Sequence, residues 1–151
     1  MAPVGPAHGE RAVDLSSLLR AIVRRQGLGS VRVETGYWLA PNTMVGPDIS
    51  FLGNAKLAVE QVADGYSDQI PDLAIEITSP NDRDRDVQEK VGLYLAAGVP
   101  RVWVVRPELR TVAVHWPDRT THTLRVGESL SAEDAGFADV TMSIAIADIF
   151  D

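Results

Sequence analysis

The chain has 151 residues, 45% of them hydrophobic, which is typical of a single globular domain with its own core. It contains no cysteine, and this excludes disulfides, thiolate zinc sites and cysteine nucleophiles. The net charge of −7 argues against a general nucleic-acid coat protein, although a carboxylate metal site would itself add negative charge. No stretch resembles a signal peptide or a membrane span, so we expect a cytoplasmic protein that does not bind membranes.

The first patterned segment predicts an amphipathic helix. Residues 1–7 are rich in Pro, Gly and Ala and predict a mobile lead-in, so we expect one domain over residues 8–151. From His8 to about Gln26, apolar residues recur at three- and four-residue spacing, which is the pattern of a helix with one buried face. Gly27 follows as a residue that ends helices.

Two strands are predicted next. Apolar and polar residues alternate over residues 30–39, which indicates a half-buried strand. A second strand is predicted over residues 44–52, where Pro47 favours an edge position or a bulge. Asp48 would lie inside this strand, between small neighbours on the same face that leave space around its carboxylate. Residues 53–70 predict a polar loop with a short helix near residues 55–63.

The segment from Pro71 to Pro80 predicts a short apolar strand. Every second residue is apolar, and Glu76 falls in the middle of the strand on the opposite face. A carboxylate in this position is costly to bury unless it has a partner. Glu76 therefore needs an ion or a cationic side chain near it.

A helix is predicted over residues 84–97, after a capping turn at residues 79–82, and an apolar strand is predicted over residues 102–105. The strand–helix–strand order suggests a parallel strand pair. A hairpin is predicted over residues 111–126, and a short extended piece and a terminal helix are expected in the tail. This order of elements predicts an α/β domain built around one mixed sheet.

Asp48, Glu76 and Lys90 form the candidate chemical site. Magnesium prefers oxygen ligands and usually takes one or two carboxylates with waters and substrate phosphates. Two strand-borne carboxylates would supply such a set, and the carbonyl of Ile77 would add a backbone ligand. A nearby ammonium group would orient the attacking water or stabilise charge on the phosphoryl group. The pattern predicts a phosphodiesterase site that uses Mg²⁺ or Mn²⁺.

Several short motifs resemble the Uma-two family of restriction-endonuclease-like proteins, a branch of the PD-(D/E)xK nuclease superfamily. In order they are Gly46-Pro47-Asp48-Ile49, Pro71-Asp72-Leu73-Ala74-Ile75-Glu76-Ile77-Thr78-Ser79-Pro80, the helix residues Asp86, Lys90 and Tyr94, and Gly98-Val99-Pro100-Arg101-Val102-Trp103-Val104-Val105. The resemblance covers most of the chain. It implies a restriction-endonuclease-like αβββαβ core with a mixed sheet, followed by a C-terminal β-hairpin.

The resemblance also implies roles for individual residues. Asp48 matches the aspartate of the PD motif, and Glu76 matches the acidic residue of the (D/E)xK motif. The usual lysine position, two residues after the acid, is Thr78, and Lys90 on the following helix matches the lysine of this branch. Asp72 belongs to a second Pro-Asp pair and is a further candidate near the metal. An N-terminal stretch with an acidic residue, usual in the family, is expected to be missing here.

The implied function is a magnesium-dependent DNA endonuclease that leaves 5′-phosphate and 3′-hydroxyl ends. We also expect a homodimer, because one small domain offers little surface for duplex DNA and symmetric dimers are the commonest assembly. One alternative is a shortened, inactive member that serves as a binding or assembly module. Another is a metal-dependent phosphohydrolase that acts on nucleotides or RNA.

Each candidate residue also has a structural alternative. Asp48 could be a solvated turn residue, and Glu76 could pair with Arg32 across the sheet. Lys90 could form an i,i+4 ion pair with Asp86, which would contribute only about 0.3–0.5 kcal/mol.

Tyr94 is expected to belong to the core rather than to take part in chemistry. The three histidines, His8, His115 and His122, show no metal-ligand spacing and are expected at the surface.

Overall fold

A computed structural model describes residues 3–151 of the chain. Its first element, helix α1, spans Pro6–Gln26 and therefore begins two residues before the predicted start at His8. A proline is favoured in the first turn because the first N–H groups of a helix have no partner inside the helix. The helix ends at Gly27, whose φ of 63° is the left-handed conformation that glycine adopts at low cost. The first two residues of the predicted lead-in lie outside the described residues.

The remaining elements follow in chain order: β1 (Gly29–Val33), β2 (Tyr37–Ala40), β3 (Thr43–Val45), β4 (Ile49–Gly53), α2 (Asn54–Leu57), β5 (Val62–Ala63), β6 (Tyr66–Ser67), β7 (Leu73–Ile77), α3 (Asp84–Ala96), β8 (Val102–Arg106), β9 (Thr111–His115), β10 (Thr121–Arg125), β11 (Ser129–Ser131), α4 (Ala132–Ala135), β12 (Ser143–Ala145) and α5 (Ile146–Phe150).

The main sheet has six strands in the order β1-β4-β7-β8-β9-β10. Strands β7 and β8 are parallel and are joined through α3, whereas the other neighbouring pairs are antiparallel. The chain thus has an α/β fold around a mixed sheet, with the β9–β10 hairpin at one edge, and the predicted fold class is confirmed. A second sheet has the order β3-β2-β6-β5, and β11 pairs with β12.

Each face of the main sheet has its own hydrophobic core. On one face, Leu73, Ile75 and Ile77 of β7 pack in the same cluster as α1 and α5 residues. On the other face, Ala74 of β7 shares a cluster with the buried side of α3. Because side chains alternate along a strand, Glu76 points to the α3 face together with Ala74. The sheet therefore delivers this carboxylate to the space under α3.

Two of the predicted strands are each divided in the structure. The segment 30–39 forms β1 and β2, which are separated by a turn where Glu34 has a φ of 49°. The segment 44–52 forms β3 and β4, and these belong to different sheets. Pro47 lies between them, where no ladder N–H is needed. Asp48 therefore stands immediately before β4, not inside a strand as expected.

Two local predictions also need correction. The helix expected near residues 55–63 is only the short α2, and the β5–β6 hairpin follows it. The expected cap at residues 79–82 does not cap α3, because the N-cap is Arg83 and no side chain bonds there. Asp82 instead accepts a hydrogen bond from the Ser79 N–H at 2.7 Å and closes the turn after β7. Within residues 3–151, every helix is too short or too polar to cross a lipid bilayer.

Candidate metal centre

Asp48 and Glu76 meet where the ladder between β4 and β7 ends. The last paired residues of these strands are Ile49 and Ile75. Continuing the antiparallel register by one step sets Asp48 opposite Glu76, and both side chains point to the α3 face. The register thus brings the two carboxylates together, although Asp48 precedes β4 and does not lie inside a strand as predicted.

The Asp48 carboxylate replaces the missing ladder partner of β7. Its Oδ2 accepts a hydrogen bond from the Ile77 N–H at 2.7 Å. In a strand, the N–H and C=O of one residue face the same neighbour, so the Ile77 carbonyl also faces the Asp48 side of β7. The Nε2 atom of His8, from the first turn of α1, lies 3.4 Å from the same Oδ2. Asp48 is therefore held between the sheet and α1.

Glu76 is nearly buried, with 7% of its surface exposed, and it has two polar neighbours on α3. The Tyr94 hydroxyl donates a hydrogen bond to Oε1 at 2.6 Å. The Lys90 Nζ lies 3.6 Å from Oε2. Burial raises the pKa of Glu76 to about 7, the Asp48 charge adds to the rise, and Tyr94 and Lys90 oppose it. Two close carboxylates with one ammonium group leave this site short of positive charge.

The structure rejects the alternative ion pair between Glu76 and Arg32. The Arg32 guanidinium instead binds both oxygens of Glu60, at 2.7 and 2.6 Å. Glu60 also accepts a hydrogen bond from the Ser67 hydroxyl. This polar cluster ties β1 to the β5–β6 hairpin and satisfies Arg32 away from Glu76.

The structure also does not support the alternative ion pair between Lys90 and Asp86. The Lys90 ammonium instead pairs with the Glu76 carboxylate. Lys90, Asp86 and Glu76 line a cavity of about 80 Å³, together with Ile77, Thr78, Asp82 and Val87. The side chain of Lys90 is 54% exposed, so its ammonium connects the cavity with solvent. Thr78, at the usual lysine position, is buried and directs its hydroxyl to the Val105 carbonyl at 3.4 Å.

Asp72 lies at the other end of β7. Four residues of strand separate it from Glu76, which corresponds to about 13 Å. Its Oδ2 accepts a hydrogen bond from the Gly53 N–H at 2.8 Å, and its Oδ1 lies 3.0 Å from the Lys56 ammonium. Asp72 therefore anchors the start of β7, and its position does not support the accessory role suggested by its Pro-Asp motif.

The expectation of three surface histidines is wrong for two of them. His122 is exposed, but His8 and His115 are 9% and 7% exposed. His115 bonds to the Thr121 hydroxyl, and burial lowers its pKa. His8 is a residue of the site that sequence reasoning missed. The sequence pattern could have indicated that His8 is buried, because His8 extends the buried stripe of α1 that continues with Leu15, Leu19 and Ile22.

Tyr94 contacts a candidate site residue in addition to occupying the core position expected for it. Its ring is fully buried in the α3 cluster, as predicted, but its hydroxyl is committed to Glu76. The low dielectric around it and the Glu76 charge raise the pKa of Tyr94, so the phenol stays protonated and acts as a donor. Tyr94 follows Lys90 by four residues, so both side chains lie on the same side of α3 and face β7. This spacing was the signal in the sequence for the contact between Tyr94 and Glu76.

The donor set fits a hard divalent cation. Asp48, Glu76 and the Ile77 carbonyl offer oxygen atoms only, and Mg²⁺ commonly takes one or two carboxylates and completes its shell with water and phosphate. Within residues 3–151, no three His, Asp or Glu side chains are grouped closely enough to bind a metal by themselves. A cation bound here would favour the charged form of Glu76 and so oppose the rise in its pKa that burial causes. The protein atoms would thus provide part of the shell, and substrate would provide the rest.

Comparisons with known proteins give a family and a similar fold. The model of the Uma2 (Uma-two) family, described as "Putative restriction endonuclease", matches residues 1–145. A solved structure from Anabaena variabilis ATCC 29413, described as a "putative nuclease belonging to DUF820", is similar in fold with a TM-score of 0.80. The two sequences are 21% identical over 99% of this chain and 83% of that chain. A search of curated proteins gave no match.

The family match extends from α1 through β12, so it includes both carboxylates, the α3 lysine and the strands that carry them. The chain belongs to the Uma2 family of restriction-endonuclease-like proteins.

Proposed function

We propose that the chain is a metal-dependent DNA endonuclease of the PD-(D/E)xK type. The observation that carries the proposal is the facing pair Asp48 and Glu76, with the Lys90 ammonium 3.6 Å from Glu76. The family match supports nuclease chemistry. A site with two carboxylates and one lysine at the end of a broken ladder suits hydrolysis of a phosphodiester, where charge develops on phosphate oxygens.

In this proposal, Asp48, Glu76 and the Ile77 carbonyl hold Mg²⁺ or Mn²⁺. The bound ion would act as a Lewis acid and lower the pKa of water next to the scissile phosphate. Asp48 is fixed for this task by the Ile77 N–H, which prevents rotation of its carboxylate. Lys90 orients the attacking water and stabilises negative charge, because its ammonium lies beside Glu76 at the mouth of the cavity.

The proposed reaction consumes one water. The water oxygen forms a bond to phosphorus, and the bond between phosphorus and the 3′ oxygen breaks. The proton lost by the water passes to solvent, and the leaving 3′ oxygen takes a proton from solvent. The products carry a 5′-phosphate and a 3′-hydroxyl end.

DNA is the proposed substrate, and a homodimer and a cytoplasmic location complete the proposal. One domain of 151 residues offers little surface for a duplex, and two-fold dimers are the commonest assemblies. Sedimentation at several protein concentrations, with and without a short duplex, would test the dimer. A species that stays monomeric in both conditions would contradict it.

The activity is tested on supercoiled plasmid with Mg²⁺ or Mn²⁺. We expect nicked and linear products from the wild type and none from Glu76→Gln, which keeps the hydrogen bond acceptor for Tyr94 but removes the charge. Glu60→Gln is the control, because it removes a partly buried carboxylate that is bound to Arg32 and lies away from the site. An RNA and nucleotide panel runs in parallel. Cleavage of RNA alone would favour the phosphohydrolase alternative.

An absence of cleavage and of calorimetric Mn²⁺ binding in the wild type would overturn the enzyme proposal. It would leave the family fold as a binding or assembly module.

A further inference from the structure

The two oxygens of the Glu76 carboxylate have different surroundings. Oε1 accepts the Tyr94 hydroxyl at 2.6 Å, and that hydroxyl belongs to a fully buried side chain. Oε2 lies on the side of Lys90, whose ammonium is 3.6 Å away and whose side chain is half exposed. One oxygen is thus fixed inside the core and the other is directed to the cavity.

The two oxygens of the Asp48 carboxylate also have different surroundings. Its Oδ2 accepts the Ile77 N–H at 2.7 Å and lies near His8. Within residues 3–151, the hydrogen bond from Ile77 and the contact with His8 both use Oδ2, and the Asp48 carboxylate also lies close enough to Glu76 to raise the pKa of Glu76. Each carboxylate therefore has one oxygen fixed by a neutral donor from the protein, and the second oxygen of Glu76 has the Lys90 ammonium as its neighbour at 3.6 Å.

We propose that Tyr94 is a positioning residue that fixes Glu76 through Oε1 and so presents Oε2 to the metal ion. Asp48 would be presented through Oδ1 by the equivalent bond from Ile77. The inference rests on the proposed metal-dependent function. A phenol suits this task, because it donates one short hydrogen bond and its rigid ring is locked by packing. Without that bond, Glu76 could rotate about its terminal torsion, for which rotamer preferences are broad.

Tyr94→Phe tests the inference, since it removes the hydroxyl and keeps the buried ring. The matched control is Tyr37→Phe. Tyr37 is also fully buried, and its hydroxyl makes a bond of equal length, 2.6 Å, to Ser50 on the same sheet face. The two variants lose the same group from similar surroundings, but only one of them loses a contact with Glu76.

Calorimetric titration with Mn²⁺ provides a readout apart from activity. We expect Tyr94→Phe to bind about 10- to 100-fold more weakly than the wild type, which is typical when the partner of a metal ligand is removed. Tyr37→Phe should bind like the wild type. At saturating Mn²⁺, Tyr94→Phe should keep the wild-type KM for DNA, because Tyr94 is buried and does not reach the substrate.

The outcomes separate the inference from the proposed function. If Tyr94→Phe binds Mn²⁺ as tightly as the wild type, the proposed role of Tyr94 is wrong but the metal site is unaffected. The same conclusion follows if Tyr94→Phe and Tyr37→Phe lose Mn²⁺ affinity equally. A wild type that binds no Mn²⁺ overturns both. If Tyr94→Phe does not fold, a wild-type crystal structure with Mn²⁺ decides. Binding through Oε2 supports the role, and binding through Oε1 with the Tyr94 bond broken overturns it.

Discussion

The Lys90 ammonium on α3 lies 3.6 Å from Oε2 of Glu76 on β7. The residue two positions after Glu76 is Thr78, which is buried and engaged with β8. The proposed lysine of the site thus comes from the helix that covers the strand. This places a cation at the mouth of the cavity, where it can meet both water and a phosphate.

Lys90→Ala is expected to reduce plasmid cleavage by about 100- to 1,000-fold, a range typical for loss of one group that stabilises developing charge. Its Mn²⁺ affinity should not fall, because removal of a nearby ammonium relieves repulsion of the metal. The control is Arg85→Ala on the same helix, where an 87% exposed cation pairs with Glu89. Equal losses in both variants would indicate general DNA attraction rather than a local role.

Metal binding should stabilise the protein through Asp48. At a Mn²⁺ concentration of about 100 Kd, we expect about 2.7 kcal/mol of added stability. For a chain of this length that corresponds to a rise in Tm of roughly 5–10 °C. Asp48→Asn should abolish the rise, because it removes one ligand charge. Asp72→Asn should keep the rise, although the chain will start from a lower Tm without its Lys56 contact. Loss of the rise in Asp72→Asn would return Asp72 to the site.

The free energy of unfolding should depend on pH through Glu76 when a chelator removes metal ions. Burial raises its folded pKa to about 7 from 4.5, so the fold favours the protonated form. The resulting stabilisation is complete below pH 4.5 and is lost as pH rises through 7. Its upper size is about 3 kcal/mol, at about 1.36 kcal/mol for each unit of pKa.

Urea unfolding of wild type and Glu76→Gln between pH 4.5 and 8 measures this term as the difference between the two curves. The variant cannot ionise at this position, so the wild type should lose stability relative to it as pH rises. Parallel curves would show that Glu76 titrates near its ordinary value.

His8→Ala should destabilise the protein by roughly 1–3 kcal/mol, the usual range for loss of a buried side chain. It should also weaken Mn²⁺ binding, because Asp48 loses its neighbour on α1. His122→Ala changes an exposed histidine and should stay within about 0.5 kcal/mol of wild type. Thermal unfolding and calorimetry provide both numbers. Unchanged Mn²⁺ affinity in His8→Ala would limit His8 to packing.

Several parts of the fold followed from local pattern. Three elements were predicted correctly from the spacing of apolar residues: the helix that ends at Gln26, the strand around Glu76 and the strand at residues 102–105. This was possible because alternation and helical spacing depend only on neighbouring residues. Glu76 was also readable as a candidate, since a carboxylate within an apolar strand needs a partner, and the family resemblance added Asp48 and Lys90. The division of residues 44–52 into two sheets was not readable, because a proline predicts a break but not the partners of the two halves.

The sequence by itself determined the first helix, the strand around Glu76, the helix after it and the strand at residues 102–105, and it determined which residue types could bind a divalent ion. Only the tertiary structure decided which of these residues meet. Asp48 faces Glu76 because the antiparallel register of β4 and β7 brings them together, and Asp72 is excluded because it lies at the other end of the same strand. His8 and Tyr94 join the site through contacts 40 and 18 residues along the chain, from α1 to Asp48 and from α3 to Glu76. Local spacing indicates which face of each helix is buried, but contacts over such distances also depend on how the helices pack on the two sheet faces.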